Sequence, residues 1–383
     1  MRIQAVTRLM KHLLRGGAAW LALLPSSLFA AAINPSNVPQ LAGSVSVALV
    51  SSPMSEPIQF PFLPLTSLDT LWFQVSGTLC NLRCHHCFIS CTPDNHTLGL
   101  MKFEQVKGYL DESVKHGVKE YYFTGGEPFI NPDIFRILEA TLAIGPATVL
   151  TNATRFTEEK VARLAALRDG SIYSLELRVS IDGFSLETND PIRGEGTFDL
   201  AMNGVRVLVA HGFLPIITSM RSWPLEDDEI FLTEFKKRLA EIGYTRPRMK
   251  LLPSLKIGQE ALRDHGYGED EFVSAEMMIG YDASLLLCHN SRVVSASGVH
   301  VCPILVDRPD ARLGTTLQDA CKGYSLRHQV CSTCYAFGAL CSNATGVESI
   351  VATGKVATAR TPQAPAPSHE RTDERREMET RGP

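Results

Sequence analysis

The chain has 383 residues, ten cysteines and a formal net charge of −4. That length suffices for one large domain, or a large domain with a small companion. The nearly balanced charge argues against a nucleic-acid partner or an anionic membrane surface. The cysteines fall in two groups. Cys80, Cys84, Cys87 and Cys91 form the first; Cys288, Cys302, Cys321, Cys331, Cys334 and Cys341 form the second. Disulfide frameworks belong to short secreted chains with cysteines spread throughout, so two separated groups in a long chain predict metal sites.

The N-terminus carries a contrary signal. Arg2, Arg8, Lys11 and Arg15 precede an apolar run over about 17–32 that ends in Ala30-Ala31-Ala32, the pattern of a secretory signal. The run is short and interrupted by Pro25, so no stable membrane span is expected. Thiolates that hold metal need a reducing compartment. We therefore expect residues 1–53 to be a signal-like or mis-annotated extension, translation to begin at Met54, and the protein to be cytoplasmic; the alternative is that the segment is real and the protein exported.

Residues 33–66, rich in Pro, Ser and Val, read as an extended approach. A repeating grammar follows. A strand is predicted over 71–76 (LWFQVS), then the cysteine loop. Helical spacing over 103–116 places Phe103, Val106, Leu110 and Val114 on one side. A strand over 118–124 ends at Gly125-Gly126, and Asn131-Pro132-Asp133 is expected to open a helix. Strands over 147–151, 175–181, 213–219 and 248–252 alternate with helices from Thr157 to about Leu167, over 198–211 and over 226–242. Alternation of six strands with five helices predicts an α/β fold with parallel strands, a partial (β/α)6 barrel over 67–260. Ligands gather at the carboxyl ends of such strands. The cysteine loop, Gly125-Gly126-Glu127-Pro128, Asn152, Ser180 and Asp182 all fall there. Residues 280–343 read as a small irregular cysteine-rich module, and 345–383 as a disordered tail.

The spacing C-x3-C-x2-C at Cys80, Cys84 and Cys87 puts three thiolates on one short loop. A cubane cluster has four irons, so three ligands leave one iron open for a substrate. Cys91 as a fourth ligand would close it, and a zinc knuckle is the other alternative. The spacing, with His86 before the third cysteine, resembles the radical S-adenosylmethionine (SAM) superfamily. The resemblance implies a 4Fe-4S cluster whose open iron takes the methionine end of SAM. It also implies reductive cleavage to a 5′-deoxyadenosyl radical, and an external reductant such as flavodoxin or ferredoxin. In that family the motif seen here as Gly125-Gly126-Glu127-Pro128 holds the amine of SAM. Asn152, Ser180 and Asp182 are candidates for its ribose or methionine end, and Arg193 for its carboxylate.

The second group resembles the SPASM and twitch extensions, which bind auxiliary 4Fe-4S clusters. The interval from Gly298 to Cys302 is one residue shorter than usual, and the run of cysteines expected after Cys341 is absent. Six thiolates cannot fully ligate two cubanes. One auxiliary cluster on Cys288, Cys302 and two of Cys321, Cys331, Cys334 and Cys341 is the simplest reading; a zinc ribbon is the alternative. Tyr281, Asp282 and His289 lie near this group without an evident role. The expected function is hydrogen abstraction from a peptide or protein side chain. Small-molecule or cofactor biosynthesis is the alternative within that chemistry, and a non-catalytic iron–sulfur electron carrier the alternative outside it.

Overall fold

The computed structural model describes residues 59–338 and 340–341; the expected extension (1–53), its Met54 start and the tail (345–383) lie outside the described residues. A short strand β1 (Phe62–Leu63) leads into the first long one, β2 (Thr70–Gln74). Then follow α1 (Phe103–Lys115), β3 (Glu120–Thr124), α2 (Ile134–Leu142), β4 (Ala147–Thr151), α3 (Glu158–Asp169) and β5 (Leu175–Ser180). Helices α4 (Leu186–Arg193) and α5 (Thr197–Ala210) precede β6 (Ile216–Met220), α6 (Asp228–Glu241) and β7 (Arg248–Leu252). Strands β2 to β7 pair in parallel in chain order, the six-strand arrangement the alternation predicts.

The sheet does not stop there. After the short helix α7 (Gln259–Arg263), strand β8 (Ser291–Ser295) pairs in parallel with β2. Strands β9 (Gly298–His300) and β10 (Arg312–Gly314) extend that edge antiparallel. The region read as an irregular module thus contributes three strands to the main sheet. It adds two short helices, α8 (Leu317–Ala320) and α9 (Val330–Phe337), and β11 (Tyr324–Ser325), which pairs with β1. Its strands escaped prediction because β9 and β10 are three residues each, too short to show a period. Among the described residues the strand order is β10-β9-β8-β2-β3-β4-β5-β6-β7, and its two end strands are not paired with each other.

The strands alternate sharply between faces, as a period of two requires. Leu71, Phe73, Tyr121, Phe123, Val149, Leu177, Val179 and Ile217 share one apolar core with the helices. Each helix supplies a stripe at helical spacing, such as Val106 and Leu110 of α1 or Val161 and Leu164 of α3. Helix α3 starts where expected, with Thr157 Oγ1 accepting from Lys160 N at 3.3 Å. Helix α2 starts later than predicted. Asn131 does not cap it but donates its side-chain amide to Val75 O (2.7 Å) and Met101 O (2.8 Å), tying the strand end to the loop before α1. The other face of the sheet carries Trp72, Gln74, Tyr122, Leu150, Arg178 and Lys250. Buried polar groups on that face mark it as the lining of a site rather than a second core.

Candidate functional site

The cysteine loop leaves β2 through a tight turn and is held by backbone bonds. Cys80 N donates to Thr92 O (3.1 Å), His85 N to Ile192 O (2.8 Å) and Gln259 N to Cys87 O (3.0 Å). Gly126 N donates to Gly77 O (3.0 Å) and Glu127 N to Leu79 O (3.1 Å), so the Gly-Gly-Glu turn and the loop run together. The two glycines are required by this contact. A Cβ on Gly126 would lie 2.2 Å from Leu79 O and 2.7 Å from Cys80 Cβ; one on Gly125, whose φ is +150°, would lie 2.0 Å from Ser76 Oγ. Their lack of side chains thus lets the turn and the cysteine loop run together.

Glu127 is held by protein partners. Its carboxylate is buried and turned into the sheet, where Oε1 accepts from Thr151 Oγ1 (2.7 Å) and Phe129 N (3.2 Å), and Oε2 from Asn152 N (2.8 Å). Burial pushes its pKa up, opposed by these three donors. The side chain joins the ends of β3 and β4, and Thr124, Gly125 and Gly126 face the cavity in its place. Pro128 is buried beside it at the start of a 3-10 turn.

Cys80, Cys84 and Cys87 line one cavity of about 210 Å³, together with His86, Cys91, Gly125, Gly126, Asn152, Ser180 and Arg193. Asn152 supports the loop by donating to Asn81 Oδ1 (3.0 Å), with Cys80 Sγ at 3.9 Å. Asp182 lies wholly buried behind the cavity wall. Its Oδ2 stands 2.5 Å from His86 Nε2 and 2.6 Å from Arg193 Nε, and Oδ1 accepts from Met220 N (2.6 Å). Burial alone would raise its pKa, but Arg193 and His86 outweigh it and hold Asp182 well below the carboxylate range. Asp182 is therefore a positioning group for His86 and Arg193. Two residues the sequence reading passed over fix this triad. Asn189 Oδ1 accepts from Asp182 N (3.0 Å), and Asp190 accepts from Gly196 N (2.6 Å) and Phe198 N (2.9 Å) at the start of α5. Helix α4, which carries Arg193, was not predicted because Pro191 and a polar composition break its pattern.

The donor set fits a metal cluster. Burial pushes the Cys80 thiol up to about 12 and Cys84 up to about 11, so each becomes a thiolate only beside positive charge such as iron supplies. Cys91 directs its thiol and its N–H (3.2 Å) at the Cys87 sulfur, which pulls Cys87 down and Cys91 up. Buried polar atoms on the cavity lining, Trp72 Nε1, Gln74 Oε1 and His86 Nδ1, have no partner within the described protein, as groups awaiting a ligand would.

The second group is enclosed differently. Cys288, Cys302, Cys331, Cys334 and Cys341 line a separate, almost wholly apolar cavity of about 40 Å³ with Leu286, Val301 and Val330 among its walls. Burial pushes Cys288 and Cys331 up to about 12, and raises Cys302 and Cys334 well above the ordinary thiol range. Among the described residues no three His, Cys, Asp or Glu side chains converge on one metal ion; these sulfurs surround a volume. Cys321 is not with them. It is exposed, 3.6 Å from His116 Nδ1, just past the end of α1. Tyr281 stacks on Tyr335 (4.4 Å), Asp282 accepts from Ser284 N, and His289 bonds Thr66 Oγ1 (2.9 Å), all as packing. Sequence reasoning also missed Arg292, fully buried and donating to Cys288 O (2.8 Å) and Ala320 O (3.0 Å). The two cavities share Ile304, Leu340 and Cys341.

Comparison with known proteins places this geometry. Residues 75–231 match the Radical SAM superfamily. The mycofactocin maturase MftC of Mycobacterium tuberculosis (strain CDC 1551 / Oshkosh) is 34% identical over 142 residues, 37% of this chain and 34% of that one. The AdoMet-dependent heme synthase of Methanosarcina barkeri is 35% identical over 177 residues, 45% of this chain and 48% of that one. The subtilosin biosynthesis protein AlbA of Bacillus subtilis is 26% identical over 193 residues, 50% and 39% of the two chains. The chain spans between a third and a half of the length of these relatives. No helix among the described residues is long and apolar enough to cross a membrane. The matched residues include Cys80, Cys84 and Cys87, so the likeness to the Radical SAM superfamily covers the segment that builds the first site.

Proposed function

We propose that this chain is a radical SAM enzyme acting on a peptide or protein side chain. The observation that carries the chemistry is one cavity at the carboxyl ends of parallel strands that gathers three thiols, the buried Cys80 and the half-buried Cys84 and Cys87, with the Gly125-Gly126 backbone and unpartnered polar atoms. Cys80, Cys84 and Cys87 would hold the core 4Fe-4S cluster. When bound, cluster and SAM supply a 5′-deoxyadenosyl radical that takes hydrogen from the substrate. The chain's own contribution is positional. Gly125 and Gly126 present backbone to the methionine end, Arg193 offers a guanidinium to its carboxylate, and Ser180 and Asn152 border the remainder. Asp182 keeps Arg193 and His86 in place.

The apolar cavity of the second group supports one auxiliary 4Fe-4S cluster, drawn from Cys288, Cys302, Cys331, Cys334 and Cys341. A flavodoxin or ferredoxin in the cytoplasm would supply the electron. Two of the three relatives bear peptide-maturation names, a maturase and a bacteriocin biosynthesis protein, and they favour the peptide reading. The heme synthase keeps small-molecule chemistry as the second reading.

The substrate class is tested by stimulation of 5′-deoxyadenosine formation. The reconstituted enzyme is given a low-mass extract fraction, intact or pre-digested with a broad protease that is then inactivated. Stimulation that digestion abolishes supports a peptide; stimulation that survives digestion contradicts it and supports the small molecule.

A further inference from the structure

Five thiols line the C-terminal cavity, and a fully ligated cubane takes four. Cys288 and Cys302 flank the β8–β9 hairpin, and Cys331 and Cys334 lie one turn apart on α9. Cys341 differs from these four. It also lines the core cavity, which they do not. The cations it faces are Arg178 of β5 and Lys250 of β7, on the inner face of the parallel sheet, while Cys288, Cys302 and Cys334 border it on the other side. Its carbonyl accepts from Arg178 Nη1 at 2.9 Å, which fastens it to the core rather than to the α9 side.

The space Cys341 borders is built for an occupant. Gln74 is fully buried and its Oε1 has no partner within the described protein; Trp72 Nε1, two residues earlier on the same inner face, is likewise unmatched. Both lie on the lining that includes Arg178 and Cys341. The chemistry of that wall is an acceptor, a donor, a buried guanidinium and a thiol.

We propose that Cys341 is not a ligand of the auxiliary cluster but a free thiol in the wall of the core cavity, available to the substrate there. This assignment rests on the auxiliary-cluster reading given above. The four remaining thiols complete that cluster, and Cys341 separates it from the radical site.

The test uses the full chain with Cys80, Cys84 and Cys87 replaced by alanine, so that bound iron reports the C-terminal cavity alone. After anaerobic reconstitution, iron, acid-labile sulfide and the electron paramagnetic resonance of the reduced protein are measured. About four irons per chain are expected in this background. The same content and spectrum are expected with Cys341→Ala and with the near-isosteric Cys341→Ser, and at least a threefold loss of iron with Cys302→Ala or Cys334→Ala. Loss of iron in both Cys341 variants, with unchanged far-UV circular dichroism, overturns the assignment. Failure of the parent background to hold iron is a different result: the auxiliary cluster itself falls, and the assignment with it, before any change at Cys341.

Discussion

The two thiol groups of this chain are buried to similar effect but held by opposite means. Around Cys80, Cys84 and Cys87 the walls are polar and tied by hydrogen bonds, with His86, Asp182, Arg193 and Asn152 fixed to within 3 Å of a partner. Around Cys288, Cys302, Cys331 and Cys334 the walls are leucine, isoleucine and valine. A centre that must admit a polar cosubstrate needs directional partners in its wall. A centre that only stores charge is served by enclosure, which excludes solvent and sets potential. On the proposed function, the difference separates a site of chemistry from a site of support.

The largest expected effect lies in the polar group. Cys84→Ala should remove the core cluster's iron and lower SAM cleavage by more than about a thousandfold, as for loss of a group the chemical step requires. Asp182→Asn comes next. It leaves Arg193 buried beside a neutral amide, which should cost about 3–5 kcal/mol in denaturant melts and weaken SAM binding. Gly126→Ala should cost about 1–3 kcal/mol through overpacking against Leu79 and Cys80 and impair cluster reconstitution. Glu127→Gln should cost about 1–3 kcal/mol, because its amide turns a donor toward a donor. A stable Glu127→Gln variant with weakened SAM affinity would instead assign the carboxylate to the cosubstrate. Cys321→Ser, on the exposed side away from both cavities, should change neither iron content nor cleavage.

The pH dependence should separate the groups as well. Asp182 is held below its unfolded value, so its stabilisation is present above about pH 4 and is lost as pH falls below that. Cys288 and Cys331 are raised to about 12, so iron-free protein keeps their contribution below the unfolded thiol value, about 8.5, and loses it as pH rises further. Denaturant midpoints of the iron-free chain should fall between pH 7 and 10. Those of iron-loaded protein should fall less, since its thiols hold no proton to lose.

Much of this was legible in the sequence. The alternation of strand and helix gave the parallel sheet because each segment showed a clean period, and the motif spacing located the polar site because loop chemistry is local. The inner face was not legible. Arg178, Lys250 and Gln74 alternate with core residues inside strands, and only pairing shows which way they point. The partners of Glu127 were not legible either, because Thr151 and Asn152 come from the end of the next strand. Cys321 was grouped with its neighbours in sequence, although the short helix α8 turns it toward α1.

The central claim is that the polar group makes a reactive centre. It is tested most directly by reducing the anaerobically reconstituted chain with dithionite in the presence of SAM and measuring 5′-deoxyadenosine. Product in amounts that depend on Cys80, Cys84 and Cys87 is expected. An intact, reducible core cluster that yields no 5′-deoxyadenosine would contradict the account and leave an electron carrier in its place.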